Sequence, residues 1–184
     1  DAQESRGLGD VYKRQLNSSG RKILNQTGSI LQVLSTTKSD TFSSTSTSFA
    51  DITGLSVTIT PSSTSSRIMV FCDTTITAGG GSGGFYGVRL VRNSTAINVG
   101  DAAGSRVQAS YGSRTQSDDN MTKTGAFNFV DSPATTSATT YKLQSIVYSG
   151  GTIYINRQTT DSDNNGYGRF ASTITVMELS LIHI

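Results

Sequence analysis

One acidic stretch has the spacing of a known ion-binding pattern. Asp161, Asp163 and Asn165 alternate with other residues and are followed by Gly166. Oxygen ligands at alternating positions before a glycine turn are typical of the opening of a calcium loop. The twelfth position of that pattern requires a glutamate, but Ser172 stands there. We therefore weigh an ordinary surface turn against a cation site formed by Asp161, Asp163 and Asn165, and we favour the turn.

Side chains suited to catalysis are scarce. The chain has one histidine, His183, and one cysteine, Cys72. A single cysteine excludes an internal disulfide and a multi-cysteine zinc site, and its alternating apolar neighbours predict a buried thiol. The glycine-rich run at residues 79–84 lacks the Lys-Ser/Thr ending of a phosphate-binding loop. The carboxylates are scattered, with no indication of a catalytic pair. We predict that the protein is not an enzyme and needs no cofactor.

Aromatic and basic side chains near predicted loops are better candidates for a function. Tyrosines beside Asn, Asp and Arg suit sugar binding, because a ring stacks on the sugar while polar neighbours bond its hydroxyl groups. The alternative is that these tyrosines are half-buried in strands or at a subunit interface. The predicted loops lie at residues 78–86, 109–120 and 158–169. The predicted receptor-binding residues are Tyr86, Tyr111, Arg114, Tyr167 and Arg169.

Short alternating runs separated by polar turns follow from residue 29 onward. In Leu55–Ile59 and Arg67–Thr77, apolar residues recur at every second position, which indicates β-strands. Leu55, Val57 and Ile59 are predicted to point inward. About ten such strands at regular spacing, without a convincing helix, predict an all-β antiparallel sandwich or barrel.

The composition is low in charge. Charged residues make up 15% of the chain, and 15 Lys+Arg against 13 Asp+Glu give a net charge of +2, which is too weak to favour nucleic-acid binding. The sequence contains no apolar run long enough to predict a membrane span, and we see no pattern typical of a signal peptide. Many strand positions carry Thr, Ser or Ala instead of large aliphatic residues. We expect oligomerisation to bury a second face.

The two ends of the chain share an unusual relation through the genetic code. Residues 10–15 (DVYKRQ) can be encoded by GAT GTG TAT AAG AGA CAG, whose reverse complement translates as residues 179–184 (LSLIHI). This inverted repeat resembles the transposase end sequence used in sequencing libraries. We therefore expect residues 1–15 and 179–184 to be adapter-derived and not native, which places His183 outside the native domain. Residues 16–28 are predicted to be a lead-in or linker to a domain at residues 29–178.

Several phrases resemble C-terminal domains of structural fibre proteins from tailed phages, especially marine ones. They are residues 46–70 (STSFADITGLSVTITPSSTSSRIMV), 88–95 (VRLVRNST), 131–144 (DSPATTSATTYKLQ) and 171–178 (ASTITVME). The resemblance covers about residues 28–178. It implies a jelly-roll-like, trimeric β-sandwich knob at the tip of a tail or head fibre, but it transfers no binding residues.

The resemblance and the composition together predict a function. We expect a non-enzymatic fibre knob of a phage virion that binds a host-surface glycan or protein receptor. Its partners would be two further copies of itself and the host receptor, with neither nucleic acid nor insertion into a membrane. The alternatives are a purely structural head or tail decoration module, and a bacterial surface lectin or adhesin.

Overall fold

The computed structural model describes residues 29–80, 83–114, 120–148 and 150–180. The predicted lead-in at residues 16–28 and most of the predicted adapter-derived residues lie outside these ranges. Eleven strands are present in the described part of the chain, and they are β1 (Ile30–Lys38), β2 (Phe42–Ser44), β3 (Ala50–Ile59), β4 (Arg67–Gly79), β5 (Phe85–Arg92), β6 (Thr95–Ile97), β7 (Tyr111–Arg114), β8 (Lys123–Asp131), β9 (Thr139–Val147), β10 (Thr152–Ile155) and β11 (Ser172–Leu179).

Two antiparallel sheets form a sandwich. Sheet 1 has the order β1-β11-β4-β10-β2, and β8 pairs with the other edge of β4. Sheet 2 has the order β3-β9-β5-β6, and β7 also pairs with β5. The predicted all-β antiparallel sandwich is confirmed. No helix among the described residues is long and apolar enough to cross a membrane.

Eight of the strands pair in a nested order. β1 pairs with β11, β3 with β9, β4 with β8 and, innermost, β5 with β7. Each strand thus pairs with its counterpart from the other end of the series, as in one long hairpin that has been rolled up. β11 also pairs with β4, and β9 with β5, and these pairs complete the two sheets. This is the double Greek-key connectivity of a jelly roll.

The core lies between the sheets and follows the alternation of the sequence. Leu55, Val57 and Ile59 are buried, as their spacing predicts, because successive side chains of a strand point to opposite faces. Cys72 is also buried. Burial, together with the neighbouring charge of Asp73, raises the pKa of its thiol to about 12, so the thiol stays protonated at neutral pH.

A cluster of three polar side chains, two of them buried, joins the two sheets. Asp131, at the end of β8, accepts hydrogen bonds from Arg92 Nη1 on β5 at 2.8 and 2.9 Å. Tyr141 Oη on β9 donates to Asp131 Oδ2 at 2.6 Å. We name these three residues the Asp131 cluster. Its members come from both sheets, so it fixes one sheet against the other.

A second buried carboxylate, Glu178, holds the turn between β3 and β4. It accepts hydrogen bonds from the Ser62 amide at 2.7 Å and from Ser62 Oγ at 2.6 Å, and Gln32 also donates to it. Burial alone would raise the pKa of Glu178, but hydrogen bonds from Ser62, Ser66 and Gln32 outweigh this effect and hold the pKa below its usual value. The carboxylate is therefore a charged structural anchor.

The described part of the C-terminus continues the sheet past Glu178. Leu179 pairs with Ile30 on one side and with Arg67 on the other, and the Ser180 amide donates to Ser29 O at 2.9 Å. Backbone pairing of this kind is open to almost any residue type. The assignment of residues 179–184 to an adapter therefore stays a prediction.

Candidate functional site: a loop outside the strand framework

The segment between β10 and β11 is much longer than the fold requires. The two strands lie along the same edge of β4, where Ile155 pairs with Ile76 and Thr173 pairs with Asp73. Only two β4 positions, 74 and 75, separate these pairs, whereas the chain uses residues 156–172 to connect them. We name residues 157–169 the excursion loop. A long connection that the strands do not need is a common place for a binding function.

Asn156 forms the base of the excursion loop. It has a φ of 62°, a left-handed conformation that asparagine tolerates better than most residues. Its buried side-chain amide donates to Lys38 O at 2.7 Å and to Asp40 O at 3.0 Å, and its Oδ1 accepts from Ser172 Oγ at 2.6 Å. The Phe170 amide donates a hydrogen bond to Asn156 O at 3.1 Å. The chain thus leaves and re-enters the sheet at one fixed point.

Hydrogen bonds to Asn120 hold the excursion loop near the start of β8. Gln158 Nε2 donates to Asn120 O at 3.1 Å, and the Thr160 amide donates to Asn120 Oδ1 at 2.9 Å. Gln158 Oε1 accepts from the Gly168 amide at 2.8 Å. These bonds join the two ends of the excursion loop to each other and to Asn120, which lies just before β8.

Charge pairing completes the internal support. Asp161 accepts from Arg169 Nη2 at 2.5 Å and lies 3.6 Å from Arg157 Nη1. The Arg157 guanidinium also lies 4.2 Å from the centroid of the Tyr154 ring, a distance at which cation–π attraction acts. The single carboxylate of Asp161 therefore holds both ends of the loop through two guanidinium groups.

The outer side of the loop forms a polar depression of about 390 Å³. Within the described residues, the Asp163 carboxylate and the Tyr167 hydroxyl have no hydrogen-bond partner, and both side chains are exposed. Carboxylate and amide oxygens accept hydrogen bonds from hydroxyl groups, and a tyrosine ring offers a stacking face. The depression is lined by Asp161, Ser162, Asp163, Asn164, Tyr167, Gly168 and Arg169.

The five predicted receptor-binding residues do not form one site. Tyr167 and Arg169 share the depression of the excursion loop. Arg114 is exposed but lies elsewhere, where its Nε donates to Gly83 O at 2.8 Å. Tyr111 is half-buried against the core, and its ring covers Gly125 so closely that a Cβ there would lie 2.4 Å from it. Tyr111 thus fits the alternative interpretation, a packed strand aromatic.

The predicted surface position of Tyr86 is wrong. Tyr86 is only 2% exposed and belongs to the core between the sheets. Burial raises the pKa of its hydroxyl, which Ser113 partly offsets by a hydrogen bond. Tyr86 alternates in step with Val88 and Leu90, which are also buried, so the period of the strand directs it inward and away from any external ligand.

The observed geometry gives little support to the predicted cation site. Asp161 already pairs with two guanidinium groups. Ser172, at the twelfth position of the pattern, is buried in β11 and bonds Asn156 and the Thr75 amide. In the part of the chain that the structure describes, no three or more His, Cys, Asp or Glu side chains are grouped to hold a metal. These contacts favour the surface turn, and a cation at Asp161, Asp163 and Asn165 stays a prediction.

Sequence reasoning overlooked the residues that support the loop. Asn120 lies 38 residues from Gln158 in the chain, and Asn156 lies 118 residues from Lys38. Contacts over such separations leave no periodic pattern in a single sequence. The i,i+4 spacing of Arg157 and Asp161 was the one local signal available, although that spacing is informative mainly on helices.

Comparison with known proteins gives limited information. No protein-family description matches the chain, and no curated protein matches it. Among solved structures, the structure of infectious bursal disease virus, Gx strain, contains a similar chain, with a TM-score of 0.41 and 14% identity. The match covers 82% of this chain and 37% of that chain, so this chain spans little more than a third of the length of the viral one.

Proposed function

We propose that this chain is the receptor-binding knob of a fibre on a phage particle, and that it binds a host-surface saccharide through the excursion loop without catalysis. Support comes from the fibre-like phrases of the sequence and from a β-sandwich that carries a long polar loop. On this proposal the chain is part of the virion. The loop binds and the sandwich positions it.

The surplus length and the fixed shape of the excursion loop carry this proposal. The loop is held by Asn120, Asn156 and the pairs of Asp161, so little conformational freedom remains to be lost when a ligand binds. Its exposed Tyr167 ring suits stacking on a sugar face, and the oxygens of Asp163 and Asn164 suit sugar hydroxyl groups.

We also propose assembly of the knob as a homotrimer through the outer face of sheet 1. Phe71 on this face is 38% exposed. A row of apolar side chains crosses four neighbouring strands beside it and consists of Val130, Met69, Met177 and Val33.

The outer face of sheet 2 has the opposite character. Lys142 Nζ and Gln144 Nε2 both donate to Asp51 at 2.7 Å, and Gln144 Oε1 accepts two hydrogen bonds from Arg89. A face whose polar groups already bond each other is suited to water, whereas an exposed apolar row is suited to a partner. Three copies would present three weak sites, and avidity would strengthen binding by orders of magnitude.

The apolar face also supports the second candidate function, a purely structural decoration module. Assembly through sheet 1 would serve that role without any receptor. The two candidates differ in the excursion loop, which matters for binding and is irrelevant to assembly. Light scattering tests the shared part: a stable monomer would contradict assembly, and Phe71→Glu should dissociate a trimer because it places a charge on the apolar face.

Binding of the intact chain to glycan arrays and bacterial cells tests the proposed function. We expect Tyr167→Ala and Asp163→Ala to lower binding by about tenfold, equivalent to the loss of a few contacts. Asp101→Ala is the matched control, since Asp101 is another exposed carboxylate outside the loop, and it should leave binding unchanged. Absence of binding to every glycan and cell, or equal binding by all three variants, would contradict the proposal.

A further inference from the structure

A second depression, of about 520 Å³, lies beside sheet 2 where β5 begins. It is separate from the excursion loop in composition, because the two share no lining residue. We name it the Phe85 groove. The residues that matter in it are Gly83, Phe85, Ser105, Arg106, Val107 and Tyr148.

Two paired glycines hold the Phe85 ring flat against the sheet. Gly87 on β5 pairs with Gly112 on β7. A Cβ on Gly87 would lie 2.7 Å from the Phe85 ring, and a Cβ on Gly112 would lie 2.5 Å from it. Any side chain at either position would therefore displace the ring. The absence of side chains at these two positions leaves room for the ring, which forms the aromatic floor of the groove.

Tyr148 stands beside this floor and is largely open to solvent. Its amide donates to Phe85 O at 2.7 Å, which fixes the backbone at this point. The Tyr148 side chain is 54% exposed. An exposed aromatic side chain that lines the same groove as a second aromatic ring offers an apolar surface for stacking.

The charged side chains that the structure describes at the groove are both basic. Arg106 is exposed, and its guanidinium has no hydrogen bond or ion pair within the described residues. Arg114 lies at the edge, with its guanidinium against Gly83. Among the residues that the structure describes in the lining of the groove, none is acidic. The excursion loop differs in this respect, since Asp161 and Asp163 line its depression.

We propose that the Phe85 groove is a second binding site and takes an acidic saccharide, a sugar whose ring carries a carboxylate. The carboxylate would pair with Arg106, because a guanidinium matches the two oxygens of a carboxylate with parallel N–H donors. The apolar face of the sugar ring would stack on Tyr148 above the Phe85 floor. This site goes beyond the proposed function and does not depend on binding at the loop.

Titration of the intact chain with 3′-sialyllactose and with lactose tests this site. The two probes differ by one acidic sugar, and ligand-observed NMR measures each Kd. We expect sialyllactose to bind at least about tenfold more tightly than lactose. Raising the salt concentration should weaken sialyllactose binding, because exposed charges are screened.

Three variants locate the binding. Arg106→Gln should weaken sialyllactose binding by about tenfold and Tyr148→Ala by about fivefold. Arg67→Gln is the matched control, because Arg67 is an exposed arginine outside the groove, and it should have no effect. Equal affinity for both probes, or equal losses in Arg106→Gln and Arg67→Gln, would overturn the proposal.

A fourth variant separates this site from the proposed function. Asp163→Ala should leave sialyllactose binding unchanged even where it abolishes binding of a neutral receptor sugar at the excursion loop. Loss of sialyllactose binding in Asp163→Ala would place the acidic sugar at the loop and overturn the groove as its site. All the substituted side chains are exposed, so each variant should keep the fold, which circular dichroism verifies.

Discussion

The Asp131 cluster and the excursion loop use the same three residue types in different surroundings. In the cluster, the Asp131 side chain is 8% exposed and bonds Arg92 and Tyr141. In the loop, the Asp161 side chain is 41% exposed and pairs with Arg157 and Arg169. Burial, and not residue type, separates the structural role of the cluster from the binding role that we propose for the loop. The buried set joins two sheets, whereas the exposed set gives one loop its shape.

Asp131→Asn should have the largest effect on stability. The amide removes the negative partner of Arg92 and one acceptor of Tyr141. Breaking a fully buried ion pair costs about 3–5 kcal/mol, and because the Arg92 side chain is 28% exposed, we expect a loss of about 2 kcal/mol. Urea unfolding should show that loss of unfolding free energy in the variant. The comparison fails if Asp131→Asn and the exposed substitution Asp161→Asn cost the same amount.

Tyr141→Phe should change how stability depends on alkaline pH. Burial and the hydrogen bond to Asp131 raise the pKa of Tyr141. Above pH of about 10 the unfolded chain loses this proton and the folded chain keeps it. The unfolded state then binds fewer protons, so stability falls as pH rises, by up to about 1.4 kcal/mol per pH unit for one group.

The measurement is urea unfolding between about pH 9 and pH 11. Tyr141→Phe should reduce the slope without abolishing it, because Tyr86, Tyr111 and Cys72 also have raised pKa values. Asp161→Asn serves as the control and should keep the full slope. An unchanged slope in Tyr141→Phe would show that this hydroxyl is not confined as the cluster requires.

Asp161→Asn should affect binding more than stability. Exposed ion pairs contribute about 0–1 kcal/mol, so unfolding should hardly change. The loop would lose both of its guanidinium contacts, and binding of the receptor sugar should weaken by about threefold or more.

The control for this substitution is Asp51→Asn, which breaks the exposed pair with Lys142 on sheet 2. Its small effect on stability should match that of Asp161→Asn, and its effect on binding should be absent. Equal binding losses in the two variants would remove the special role of the excursion loop.

Calcium should have the smallest effect. Asp161 is already neutralised by Arg157 and Arg169, so about 1 mM calcium should leave the melting temperature unchanged within about 1 °C. A clear rise that Asp163→Ala abolishes would instead support the cation site and would show that the guanidinium groups give way to a metal.

The alternation of buried and exposed residues in β3 and β4 could be predicted from the sequence, and so could the sandwich class. The inward position of Tyr86 could also be predicted, because Tyr86 lies at the same alternate positions of β5 as the buried residues Val88 and Leu90. The prediction failed there because closeness to a glycine-rich loop was given more weight than the period of the strand.

The hydrogen bonds that hold the excursion loop could not be predicted from the sequence. Asn156 contacts Lys38 across 118 residues of the chain, and Gln158 contacts Asn120 across 38. Such pairs depend on the nested strand order, which a single sequence does not encode as a local pattern. The sequence therefore predicted Tyr167 and Arg169 as candidates, whereas only the structure separates them from Tyr111 and Arg114.

Binding of the intact chain and of Tyr167→Ala to cells and glycans is the most direct test of the central claim that the excursion loop is a receptor-binding site. The account predicts specific binding by the intact chain, a loss of about tenfold in the variant and unchanged melting temperatures. Undiminished binding by Tyr167→Ala, or no binding by the intact chain to any cell or glycan, would contradict it.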